Sequence, residues 1–220
     1  MPFSAFMKTP ECFLMSASPE RFLKKSGNYL ISQPIKGTIR RSKDAKQDEA
    51  LRLALANSEK DKAENLMIVD LVRNDLAKSS VPGSVVVDEL FGIYSFEQVH
   101  QMISTVRSTI KPALTITDLI KNAFPMGSMT GAPKIRVMEE IDLLEDTARG
   151  LYSGAVGYIS PTGDFDFNVV IRSVIYSQQS GKLSFHVGSA ITVDSDPEIE
   201  YAECLLKAEA ILKALGISSL

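Results

Sequence analysis

The chain has 220 residues, 45% apolar and 23% charged, with a formal net charge of −3, two cysteines and no tryptophan. This is an ordinary globular composition, long enough for one large domain or two small ones. It shows no membrane-length apolar run, no signal-peptide pattern and no basic run suited to nucleic acid, and Cys12 and Cys204 lack metal-type spacing, so a reduced cytoplasmic setting is expected.

In chain order, Phe3–Ser16 and Tyr29–Ser32 read as strands, the second ending at Gln33-Pro34-Ile35-Lys36-Gly37-Thr38. Asp44–Ser58 reads as a charged, exposed helix. Asp61–Ser79 reads as a helix apolar on most sides through Leu66, Met67, Val69, Val72 and Leu76, and so largely buried. Val85–Tyr94 and Gln98–Ile110 are β-like, and Thr117–Phe124 is a short helix closed by Pro125. Pro133 opens a helix through Leu144, where its fixed φ suits a first turn. Leu151–Ser160, Phe165–Gln178 and Lys182–Val193 read as strands, and Asp196-Pro197-Glu198 caps a last helix running to about Leu215. Strands cluster rather than alternate with helices, which predicts one continuous α+β domain over residues 1–220 with large, mostly antiparallel sheets.

Four features carry possible chemistry. Lys36 sits between a proline and a glycine; a lysine that loses its water there becomes a usable nucleophile, the alternative being a solvated lysine beside a turn. Asp61 with Glu64, and Glu200 with Glu203, stand three apart on helices, so each pair shares a face. Oxygen donors from two helices suit Mg²⁺, although acidic residues in first turns also complement the helix dipole. The loop from Met126 to Lys134 is built of small residues and feeds a helix, which makes an anion site or a plain helix start. Arg172 lies inside an apolar run, where alternation places it with Val170 and Val174; it needs an anionic partner, either a ligand carboxylate with help from Tyr152 or an internal one such as Asp164 or Asp166. His100 and His186 each fall in β-like runs and read as structural without further context, and Arg73-Asn74-Asp75 reads as an internal polar network.

Taken together, Ser16–Arg21, Pro34–Thr38, Ala63–Asp75, Gly127–Lys134 and Asp194–Glu203 resemble the chorismate-utilising enzymes, over nearly the whole chain from about Phe3. The resemblance implies that Glu64 and Glu203 ligate Mg²⁺, with Asp61 and Glu200 assisting. It implies that the Gly127–Gly131 loop, with Thr130 and Lys134, binds near the ring carboxylate. Tyr152 and Arg172 would take the enolpyruvyl carboxylate, with Gly188 nearby. Glu20 would be the general acid for the C4 hydroxyl, and His100 would lie near the ring. Lys36 is similar to the aminodeoxychorismate synthase branch, whereas anthranilate and isochorismate synthases resemble Pro-Ile/Leu-Ala-Gly there. That branch implies a covalent Lys36 adduct, and ammonia from a separate glutamine amidotransferase, since this chain shows no glutaminase signature. The product, 4-amino-4-deoxychorismate, leads to 4-aminobenzoate and folate. The alternatives are anthranilate synthase component I and an inactive chorismate-binding remnant. The chain departs from the family in two respects. Ser189 and Ala190 stand where glycines are usual, and the chain looks N-terminally truncated, with less sequence ahead of Phe3 than family members carry.

Overall fold

The computed structural model describes residues 2–217. The strands are β1 (Phe3–Lys8), β2 (Cys12–Ser18), β3 (Arg21–Ser26), β4 (Tyr29–Gln33), β5 (Ile35–Arg40), β6 (Val86–Ser95), β7 (Val99–Thr109), β8 (Ala155–Ile159), β9 (Phe165–Val169), β10 (Ser173–Ser177) and β11 (Leu183–Ser184). The helices are α1 (Ala45–Asn57), α2 (Glu59–Ser79), α3 (Ile116–Ala123), α4 (Lys134–Leu144) and α5 (Pro197–Ala214), with a 3-10 turn at Gly127–Met129. This is the expected α+β fold. Its backbone forms two compact units: the described parts of Met1–Pro19, Arg149–Val156 and Asn168–Leu220, and the pair Glu20–Ala148 and Gly157–Phe167.

In the second unit the sheet runs β5-β7-β4-β3-β9-β8, with β6 also on β7. The long β7 organises it. β4 pairs with the Val106–Thr109 end, β5 with the Val99–Ile103 end, and β6 with nearly its whole length, all antiparallel. Helix α2 lies against β7. Ser58 caps α2 by accepting a hydrogen bond from the Asp61 N–H. Its buried stripe is Asn65, Ile68, Val69, Val72, Asp75, Leu76 and Ser79, spaced at three and four. Val69, Val72 and Leu76 are buried as expected, and three of the seven stripe residues are polar. Leu66 and Met67, expected inside, are exposed. Ser104 Oγ, donating to Asn65 Oδ1 at 2.6 Å, and Asn122 Nδ2, donating to Ser79 Oγ at 2.9 Å, satisfy part of that polar stripe. Arg73 is also not internal: it pairs with Asp70 on the surface, and only Asp75 of its triplet is buried.

In the first unit the sheet order is β1-β2-β10-β11, and every pairing is antiparallel. β2 alternates: Leu14, Ser16 and Ser18 face in, while Met15 and Ala17 face out. The inward serines are matched by polar partners, with Ser173 Oγ donating to Ser16 Oγ at 2.8 Å. Helix α5 begins as expected, with the Asp196 carboxylate accepting from the Glu198 and Ile199 N–H groups and Pro197 in the first turn.

Several expected strands are broken, each for a local reason. Phe3–Ser16 is a hairpin, because Thr9 folds back on Cys12 through two backbone-directed bonds. Arg21–Ser26 is a strand whose Lys24 and Lys25 hid the pattern. Leu151–Ser160 shortens to β8, since Tyr152 and Gly154 turn back on Arg149 and Leu151. The run Phe165–Gln178 divides into β9 and β10 at Val170–Arg172. Of Lys182–Val193 only Leu183–Ser184 pairs; further on, hydroxyls bond locally, with the Thr192 N–H donating to Ser195 Oγ.

Candidate functional site

Lys36 does not end a strand; it lies in β5, at a bulge. Ile35 pairs with Ile103 and Thr38 with Gln101, so Lys36 and Gly37 together oppose the single residue Met102. Gly37 has φ +87°, and a Cβ there would meet Asp61 Cβ, Cγ and Oδ1 at 3.0 Å. Glycine is therefore required twice, by its backbone angle and by the approach of α2. The bulge aims Lys36 at the same helix: Nζ lies 4.0 Å from Glu64 Oε2, with both side chains only 20% exposed. Lys60 approaches the other Glu64 oxygen from solvent at 3.9 Å. The structure thus brings Lys36, Glu64, Gly37 and Asp61 into one neighbourhood of the second unit.

Glu20, just ahead of β3, is buried. It lines a small pocket walled by Phe22, Pro34, Ile68, Val72 and Met126. Loss of water raises its carboxyl from the ordinary 4.5 to about 7; the Ser128 hydroxyl and, more weakly, the Lys36 charge pull the other way. A carboxylic acid titrating near neutrality can give and take a proton at working pH. Ser128 was not singled out from the sequence. Its only signal is a small hydroxyl residue inside the Met126–Lys134 loop.

That loop is tighter than an open anion cradle. The Met129 and Thr130 N–H groups donate to Met126 O and Gly127 O, and Thr130 Oγ1 also donates to Met126 O at 3.1 Å. Gly127 packs on Leu71 and Gly131 on Val137, each leaving only about a Cβ contact distance of 3.0–3.1 Å. Lys134 points its ammonium at the Asp75 carboxylate and at Pro125 O and Ala123 O, so it ties the loop to α2. His100 is buried with both ring nitrogens engaged: Nε2 meets Asp48 Oδ1 at 3.1 Å and Nδ1 meets Ser95 Oγ at 2.8 Å. The Arg41 guanidinium holds Asp48 well below the usual carboxylate range, with a further contribution from His100.

The remaining expected residues belong to the first unit. Arg172 is not on the face of a continuous strand; it occupies the break between β9 and β10 with φ +51°. The break is pinned by the Ala17 N–H donating to Arg172 O at 3.2 Å and by the Ile171 N–H donating to Val169 O at 2.9 Å. Neither Asp164 nor Asp166 is its partner: those hold Lys25 and Arg21. Arg172 Nη1 donates to Lys207 O at 3.2 Å. Burial lowers its pKa, while Tyr152 and Glu203 lie close enough to oppose that shift. Tyr152 stacks on His186, with ring centroids 5.3 Å apart and planes 21° apart. A Cβ on Gly188 would come within 3.0 Å of the Tyr152 hydroxyl. Lys207 Nζ bridges Gly188 O at 2.8 Å and Glu203 Oε1 at 2.5 Å. Glu200 is buried and accepts from Ser189 Oγ and, at 3.2 Å, from Ser195 Oγ. Ser189, one of the two departures from the family's glycines, thereby anchors a carboxylate.

The carboxylate oxygens of Asp61, Glu64, Glu200 and Glu203 have the hardness Mg²⁺ requires. Among the described residues no group of three or more His, Cys, Asp or Glu is gathered closely enough to hold a metal by itself. No described helix is long and apolar enough to cross a membrane.

The architecture and these motifs define a class, and the chain belongs to it: residues 1–213 match the chorismate binding enzymes. It is 49% identical over 217 residues to a probable chloroplastic aminodeoxychorismate synthase of Oryza sativa subsp. japonica, covering 97% of this chain and 24% of that protein. It is 45% identical over 214 residues to aminodeoxychorismate synthase component 1 of Salmonella typhimurium, covering 97% and 47%. The crystal structure of anthranilate synthase component I from Streptococcus pneumoniae superposes with a TM-score of 0.83 at 35% identity, covering 95% and 46%. The chain spans less than half the length of each of these proteins.

Proposed function

We propose that this chain supplies the chorismate-converting chemistry of an aminodeoxychorismate synthase component I. The observation that carries the reading is Lys36, set by the β5 bulge against Glu64, in a unit that also holds the buried Glu20. The identities of 45–49% to proteins named aminodeoxychorismate synthase support the same branch.

In this mechanism the neutral Lys36 amine attacks C2 of the ring. Both conjugated ring double bonds shift, C1=C2 to C1=C6 and C5=C6 to C4=C5, the C4–oxygen bond breaks, and the Glu20 carboxylic acid protonates the departing hydroxyl to give water. The attacking nitrogen loses a proton to form a neutral secondary amine. Ammonia then adds at C4, both double bonds shift back, and the C2–Lys36 bond breaks; the added nitrogen loses one proton and the departing lysine nitrogen gains one. One difficult displacement becomes two easier ones. Tyr152 and Arg172 orient the enolpyruvyl carboxylate through hydrogen bonds and charge. Glu64 and Glu203, assisted by Asp61 and Glu200, would hold Mg²⁺, which when bound neutralises the ring carboxylate. Ammonia would reach the site from a glutamine amidotransferase partner, placing the reaction in 4-aminobenzoate and folate synthesis. His100, tied to Asp48 and Ser95, is best read as holding β7 to α1 behind this chemistry.

The test is incubation with chorismate, Mg²⁺ and ammonium, with products resolved by mass spectrometry. Aminodeoxychorismate, lost in Lys36→Ala, is the expected result. Anthranilate as the sole product, or turnover that survives Lys36→Ala, would overturn the reading.

A further inference from the structure

Lys36 and Glu64 come from different elements, and one residue of β7 is bonded close to each. Ser104 is fully buried. Its N–H donates to Pro34 O at 3.2 Å, two residues ahead of Lys36. Its Oγ donates to Asn65 Oδ1 at 2.6 Å, one residue after Glu64. The same Oγ accepts the Phe91 N–H at 3.0 Å. That third bond pins a bulge in β6: Glu89 pairs with Thr105 and Gly92 with Ile103, so Leu90 and Phe91 together oppose Ser104. Phe91 has φ +58°, an angle that a bulky residue rarely takes. Asn65 is fully buried too, and its Nδ2 has no hydrogen-bond partner among the described residues. A leucine of similar size would leave no donor unpaired, so what the asparagine adds is the acceptor Oδ1. Ile68, Val69, Val72 and Leu76 of the same stripe are apolar, and apolar burial is non-directional. Directional bonds tie α2 to β7 at both ends. Ser80 Oγ donates to Ser108 Oγ at 2.7 Å at the far end, and the Asn65–Ser104 bond acts at the end that carries Asp61 and Glu64.

We propose that Ser104, acting through Asn65, is a positioning residue for the Lys36–Glu64 pair. Its backbone anchors the entry to β5, and its hydroxyl fixes the rotation of α2 at the residue beside Glu64. Successive helix residues are about 100° apart, so a helix held at Asn65 presents Glu64 at one angle. Both members of the 4.0 Å pair are thereby referred to one point on β7. Without the hydroxyl, α2 keeps its apolar packing but can turn or slide on the sheet, and Lys36 loses its fixed distance to Glu64. Reach and angle decide the rate of a nucleophile's step, so the loss falls on kcat. This deepens the role given to Lys36 above and rests on that reading for its meaning in turnover, although the placement of Lys36 can be measured without substrate.

The test therefore begins without substrate. The folded chain is treated briefly with acetic anhydride, and acetylation of Lys36 is followed by mass spectrometry against the exposed Lys46 as internal reference. In Ser104→Ala, Lys36 is expected to react faster than in the parent, because it is no longer held against Glu64. Asn65→Leu cuts the bond to α2 and spares the Phe91 bond, so it should act in the same direction, and it replaces Ser104→Ala if that variant does not fold. Ser104→Thr keeps the hydroxyl and is expected to restore the slower rate. In turnover, Ser104→Ala should lower kcat about tenfold or more while KM for chorismate stays within about twofold, and Ser104→Thr should recover most of the loss. A serine that merely supports the fold would lower stability and leave the Lys36 rate and the kcat of folded chains in place. An unmoved Lys36 rate, or a kcat equal to that of an active parent, in the folded variant overturns the proposal. A faster Lys36 rate in the variants of a parent that never converts chorismate sustains the placement by Ser104 and removes the proposed function instead.

Discussion

The two units hold their candidate site residues by opposite means. In the second unit, Lys36, Glu64 and Asp61 are fixed by regular structure: a strand on β7, a one-residue bulge, and a capped helix lying across it. In the first unit, Tyr152, Arg172 and Gly188 are fixed by departures from regular structure: a positive φ at a strand break, a ring stack and a close approach to a glycine. The first arrangement suits a nucleophile and an acid, whose reach and angle decide the rate. The second suits a carboxylate clamp, which needs the right groups converging more than it needs an exact approach. Damage to the second unit should therefore appear in kcat or stability, and damage to the first in KM.

The largest effect is expected from Lys36→Ala, which should lower kcat by about 10³-fold or more, since the covalent route is removed outright. Quantitative product analysis with saturating chorismate and ammonium measures it. A loss confined to KM would place Lys36 with the binding groups and erase the contrast between the units.

Next comes Glu20, with a sign that can be worked out. Its carboxyl in the folded chain is raised from 4.5 to about 7, so the folded state holds this proton more tightly than the unfolded chain. The resulting stabilisation is fully present below about pH 4.5 and is lost as pH rises through about 7. Its full size is of order 3 kcal/mol. Urea titrations from pH 4.5 to 8 should show the parent losing stability relative to Glu20→Gln, whose side chain cannot ionise. Parallel curves for the two would mean that Glu20 is solvated. In turnover the same proton must be present for acid catalysis, so kcat should fall on the alkaline side of about 7.

Third is Gly37→Ala against Gly27→Ala. Both glycines have positive φ, +87° and +57°, but only Gly37 has a neighbour, Asp61, where a Cβ would go. Gly27→Ala should cost about 1 kcal/mol, the left-handed backbone penalty alone. Gly37→Ala should cost about 1–3 kcal/mol and also push α2 away from Lys36. Chemical denaturation of both variants decides the matter, and equal costs would show that the bulge has room to spare.

The same contrast explains what was legible in the sequence. The acidic pair on α2, the Pro-Ile-Lys-Gly-Thr run and the Asp196 cap announce themselves because the start of a helix favours carboxylates and a positive φ favours glycine. The apolar pattern of α2 gives Val69, Val72 and Leu76 correctly but misses Asn65, Asp75 and Ser79 in the same stripe, because a buried polar side chain depends on a distant partner such as Ser104 for Asn65. Arg172 looked like a strand residue because Val169, Val170 and Ile171 are strand formers. Nothing in that run signals that Ala17, far away in the chain, would bond the Arg172 carbonyl and hold the break open. Lys134 looked available to a ligand because Asp75 lies 59 positions away, a separation at which a salt bridge leaves no local pattern. Ser128 went unnoticed because the part a small hydroxyl plays is a property of its surroundings.

The smallest effect is the sharpest probe of the first unit. Gly188→Ala carries no backbone penalty, since its φ lies outside the left-handed range, so stability should change by less than about 0.5 kcal/mol. The new methyl would meet the Tyr152 hydroxyl at 3.0 Å. The ring cannot simply swing aside, because His186 lies flat against it, so the hydroxyl must shift by a few tenths of an ångström or the Gly188 backbone must yield. Either movement weakens one hydrogen bond to a charged carboxylate, a loss of roughly 1.5 kcal/mol, or about tenfold in affinity. The expected result is a KM for chorismate raised about tenfold with kcat within about twofold of the parent. His186→Ala combined with Gly188→Ala should recover part of that loss, because it frees the ring to move. If Gly188→Ala instead lowers kcat and spares KM, Tyr152 acts on the reacting centre, and the division of labour between the two units is wrong.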